Sequence, residues 1–146
     1  MTIKETAGKI LLYFYQLQRT VPLTMKLRQL GFVDRKSGGL YVTSDKKWLT
    51  NNLLDINPVS TDVLNAFTFL IDKGFIQTLE RTTGEAKIYV GIQLSSTGID
   101  VVEGIEGGVD GKQTFTSTFN IQIGNNATIE SVMKDNLSNL VEGGQN

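Results

Sequence analysis

Between residues 59 and 103 the spacing of apolar side chains changes period twice, from helical to alternating and back to helical. In VSTDVLNAFTFLIDKG the positions Val63, Ala66, Phe67, Leu70 and Ile71 form one helical stripe. Ser60 or Thr61 can cap its start, and Gly74 ends it before Phe75. Two runs rich in strand formers follow, FIQTLERTT and AKIYVGIQL, separated by Gly84 and Glu85. In the second run Ile88, Val90 and Ile92 alternate with Tyr89, Gly91 and Gln93, the pattern of a strand with one buried face. LSSTGIDVVE then opens another helix. Helix, hairpin and helix agree with one another, which makes this segment the strongest constraint on the fold.

Upstream, Ile3, Ala7, Ile10, Leu11, Phe14 and Leu17 predict a helix over residues 3–18. Leu12, Tyr13 and Tyr15 lie off that stripe. Either this helix is covered on more than one side, between the core and a partner subunit, or the tyrosines sit at a boundary with their hydroxyls in water. Residues 20–47 read as an insertion, with a helical turn over 25–30 and breaks at Gly31 and Ser37-Gly38-Gly39. Residues 47–56 read as a short second helix with Trp48, Leu49, Leu53 and Ile56 inward. Pro58 stops it, and the helix that follows completes a helix-turn-helix.

Downstream, Gly104, Gly107, Gly108 and Gly111 predict a flexible connector over 104–112. Phe115, Ser117, Phe119, Ile121 and Ile123 then alternate with Thr114, Thr116, Thr118, Asn120 and Gln122, which predicts a strand. Asn126 or Thr128 can cap a last helix carrying Ile129, Val132, Met133, Leu137, Leu140 and Val141 on one face. A lone strand and a lone amphipathic helix must pack on the body or on another chain. The expected fold is therefore α+β: a helix-turn-helix with a hairpin over 1–103, the connector, and a strand-plus-helix extension over 113–146 suited to dimerisation.

The 146 residues suffice for one sizeable core, and the chain contains neither cysteine nor histidine. That excludes zinc fingers, iron–sulfur sites, cysteine nucleophiles and Ser-His triads, and no metal or other cofactor is expected. The run Ile10 to Tyr15 is too short for a signal-peptide core or a membrane span, so the expectation is a cytoplasmic chain without a membrane partner. Asp100, Glu103, Glu106 and Asp110 read as solvated surface rather than an acid–base site. The segment 107–112 resembles a phosphate loop only loosely: its first required glycine falls at Glu106, and Gln113 replaces the Ser or Thr. An enzyme is not expected.

Charge is unevenly placed. Residues 1–90 hold 12 Lys or Arg against 8 Asp or Glu, and residues 91–146 hold 2 against 7. Such asymmetry predicts a basic face beside an acidic region. Binding to DNA needs cations at phosphates and polar side chains at base edges. Asn65 and Thr68 on the outward side of the helix can read bases, with Thr61 beside them. Lys46, Lys47, Arg81 and Lys87 are the candidate phosphate contacts. Asp62 and Asp72 repel phosphates, and Phe69 is an odd residue for a groove-facing surface, so a module that binds protein instead of DNA is the competing expectation.

On its helix order, its hairpin and Leu94-Ser95-Ser96-Thr97-Gly98-Ile99, the stretch 47–103 resembles winged-helix regulators of the broad MarR, PadR and ArsR type. The resemblance implies a winged helix-turn-helix core and a homodimer on double-stranded DNA, acting as a transcriptional regulator or an accessory protein of a mobile element. Such regulators dimerise through helices outside the wing, which implicates the first or last helix here. The insertion and the tail depart from that pattern.

Overall fold

In the computed structural model, residues 2–20, 32–35, 39–42, 61–83 and 86–137 are described; at 17, 20, 32–35, 39–42, 61–64, 81–83 and 86–91 the description is of the backbone alone. The elements in chain order are α1 (Ile3–Thr20), β1 (Phe32–Arg35), β2 (Gly39–Val42), α2 (Thr61–Asp72), β3 (Ile76–Thr83), β4 (Ala86–Leu94), α3 (Ser96–Glu103), a 3-10 turn (Gly104–Glu106), α4 (Val109–Phe119) and α5 (Ile129–Asn136). The fold is α+β. The strands form one antiparallel sheet in the order β2-β1-β4-β3.

The helix α1 is the centre of the molecule. Ala7, Ile10, Leu11, Leu12, Tyr13, Phe14 and Tyr15 are all buried, and α2, α3, α4, α5 and β4 all pack against this helix. A helix apolar on all sides belongs inside a core. The sides bearing Leu12, Tyr13 and Tyr15 are thus covered by the chain itself, and the middle of α1 offers no face to a partner subunit. Nor does the Tyr15 hydroxyl rest in water, because it donates to Glu103 Oε2 at 2.7 Å.

Ala66, Phe67 and Leu70 anchor α2 against α1, as the helical stripe predicts. Phe69 is half-buried and packs against the core rather than facing outward, with the Lys73 ammonium 5.8 Å from its ring centre. After α2, Phe75 N donates to Leu70 O and Ser95 N donates to Phe75 O, so the end of α2 and the base of the hairpin are one hydrogen-bonded joint. Ser95 closes it: its hydroxyl donates to Gly74 O and accepts from Gly98 N, which caps α3. Gly98 lies so close to this joint that a Cβ there would come within 2.0 Å of Phe75 O.

The insertion contributes β1 and β2, a second hairpin that joins β4 through β1. The expected second helix over 47–56 and the turn at Pro58 lie outside the described residues, as does the helical turn over 25–30.

The strand expected over 114–123 is not a strand. Residues Val109–Phe119 form α4, and only the stretch after Asn120 is extended or turning. Phe115 and Phe119, four apart, share one helix face and are fully buried, while Ser117 is exposed. Thr114 and Thr118 donate their hydroxyls to the carbonyls of Asp110 and Thr114. Asn120, at φ 55° in the left-handed region, ends the helix. The stretch expected as a flexible connector is the 3-10 turn, a bend at Gly107 and Gly108, and the first residues of α4. Ile121, Ile129, Val132, Met133 and Leu137 then return to the same core as α1, so the apolar face of α5 is occupied within the chain. Thr128 and Ser131 cap α5 reciprocally.

Candidate nucleic-acid interface

The sequence singled out α2 and the hairpin, and the structure joins them through the backbone hydrogen bonds of Phe75. Of the base-reading candidates, Asn65 is exposed on α2, on the side away from Ala66 and Phe67; Thr68 is half-buried. Thr61 is the first residue of α2, described by its backbone. Lys46 and Lys47 lie outside the described residues.

Arg81 and Lys87 fall within the hairpin. The register sets Arg81 opposite Ile88 and Lys87 opposite Thr82. Residues directly opposite share a face of an antiparallel ladder and successive residues alternate, so these two basic positions belong to adjacent rungs of opposite parity. The register shifts between Gln77 and Leu79, where β4 carries the extra residue of a bulge. Below the bulge, Gln93 Nε2 donates to Gln77 Oε1 at 2.9 Å. Sequence reading missed Lys73, an exposed cation one residue past α2; a lysine so close to a helix end, four residues from an aromatic ring, is the signal that was available.

The acidic residues of the 100–110 stretch do more than solvate a surface. Glu103 accepts the Tyr15 hydroxyl, and burial together with this bond pushes the Tyr15 phenol up to about 12. The Arg19 guanidinium stands 5.7 Å from the centre of the same ring. Glu106 accepts from Ile129 N at 2.7 Å, placing a carboxylate at the positive end of α5. These groups and Glu130 line an open cleft of about 610 Å³. Both carboxylates therefore fasten α1 and α5 to the α3 end, which is a structural assignment.

No protein-family model matches the chain, and no curated protein or solved structure matches it either. Among the described residues, no helix is long and apolar enough to cross a membrane.

Proposed function

We propose that this chain is a winged-helix protein that binds double-stranded DNA through α2 and the β3–β4 hairpin, as a homodimeric regulator of transcription or an accessory protein of a mobile element. The observation that carries the reading is the joint at Phe75. It fixes a helix with Asn65 in solvent and its opposite face locked in the core directly to a hairpin that holds Arg81 and Lys87. Such a helix can enter a major groove as a rigid body while the hairpin touches the flanking backbone, and an exposed Asn suits an adenine edge. In a dimer, two copies of α2 would lie one helical turn apart along the duplex, about 34 Å.

A second reading, a winged-helix module that binds protein, draws support from Leu79, which is 61% exposed on β3 beside an exposed Glu80. Large exposed aliphatics on a strand suit a protein surface better than a phosphate backbone.

Fluorescence anisotropy with a labelled mixed-sequence duplex at two salt concentrations separates the readings. The DNA reading expects binding at low salt that weakens steeply as salt rises. Replacing Arg81 and Lys87 by Ala in both copies of the dimer should make the log–log salt dependence shallower by about four while leaving the folded spectrum intact. Absence of binding at low salt contradicts it and leaves the protein-binding surface.

A further inference from the structure

A pocket of about 300 Å³ lies away from the exposed side of α2, between α3, α4 and Phe75. Its floor is apolar: the Phe75 ring, which packs 5.7 Å from Phe119, and the buried Val101. At one end the 3-10 turn and α4 meet backbone to backbone, because a Cβ on Gly111 would stand 2.3 Å from Gly104 O. Its rim carries Thr97, Asp100, Thr114 and Thr118.

Two of the three hydroxyls on that rim are already committed. Thr114 and Thr118 have already given their hydroxyl protons to the carbonyls of Asp110 and Thr114, at 2.9 and 2.6 Å, so their oxygens can only accept. The Asp100 carboxylate is the one charged group among the described lining residues. The Lys112 ammonium on α4 donates to Ile105 O at 2.6 Å and is not among the lining residues. A cavity with an apolar floor, a carboxylate on its rim and two hydroxyls that can only accept favours a ligand that is donor-rich at one end and apolar at the other. Its volume is at the low end for ligand pockets, which excludes a large cofactor.

We propose that this pocket binds a small organic cation, an ammonium group on a compact apolar body, with Asp100 as counter-ion and Phe75 and Val101 against the apolar part. The site shares Phe75 with the joint at the base of the hairpin, but its lining includes none of the residues assigned to DNA.

The test is an amide chemical-shift titration of the full chain with phenethylammonium chloride, with sodium 3-phenylpropionate as a probe of similar size and opposite charge and sodium chloride as the salt control. Saturable shifts are expected at Phe75, Val101, Gly104, Gly111 and Thr114 with the cation, and at least roughly tenfold weaker binding of the anion. Asp100→Asn, at an exposed position, should lower affinity for the cation roughly tenfold without altering the spectrum of the free protein elsewhere. Thr114→Leu, which fills the pocket and keeps the charge, should abolish the saturable shifts. Equal binding of the two probes, unchanged affinity in either variant, or no shifts beyond the salt control would overturn the proposal.

Discussion

Two stretches of this chain alternate apolar and polar residues with the same period, and only one becomes a strand. In β4, Ile88, Val90 and Ile92 alternate with Tyr89, Gly91 and Gln93, and the stretch pairs with β3 on one side and β1 on the other. In residues 114–123 the alternation is cleaner, yet the chain is helical to Phe119. What differs is the availability of backbone partners. The strand β4 pairs with a complementary run that ends three residues before it begins, whereas among the described residues no strand lies beside the later stretch in sequence. A solitary strand leaves its amides and carbonyls to water or to orphaned burial, and a helix satisfies its own. Phe115 and Phe119 permit that outcome because residues two apart in an alternating pattern are also four apart at every second step, which is helical spacing.

The comparison can be broken most forcefully at Phe119. If it is a helical core residue, Phe119→Ala should cost about 4 kcal/mol in chemical denaturation, as large aromatic truncations in packed cores do. A surface strand residue would cost far less. On the hairpin side, Gly98→Ala sets a Cβ against Phe75 O and should destabilise by about 3 kcal/mol, since neither the α2–β3 joint nor the start of α3 can retreat. A cost near zero would mean that the joint is loose, and that α2 and the hairpin do not move as one body. The smallest effect has the most telling sign. Ser117 is exposed in α4, so Ser117→Ala should raise stability by about 0.5 kcal/mol through helix propensity; in a strand the same change would lower it.

Much of the fold was legible in the residues. The stripe of α2, the alternation of β4, the Thr128 cap and the helical spacing of α1 each correspond to an element in the structure. The second hairpin was not, because FVDR and GLYV are too short for any period to show and gain their structure from β4. The glycines at 104–111 were misread for another reason. Composition alone suggests flexibility, but here Gly104 and Gly111 allow two helical segments to touch. Of the candidate interface, the order of α2 and the hairpin was readable, while the parity separating Arg81 from Lys87 required the register. The tie from Tyr15 to Glu103 spans 88 positions, and no local pattern encodes it.

Hydrogen exchange with and without a mixed-sequence duplex at low salt tests the functional account most directly, because it compares the same two regions within one molecule. Added protection is predicted along α2 and the β3–β4 hairpin, centred on Asn65 and the residues flanking 84–85, with α4 and α5 exchanging as they do in the free protein. Protection confined to α4 and α5, or none anywhere when DNA is saturating, would contradict it.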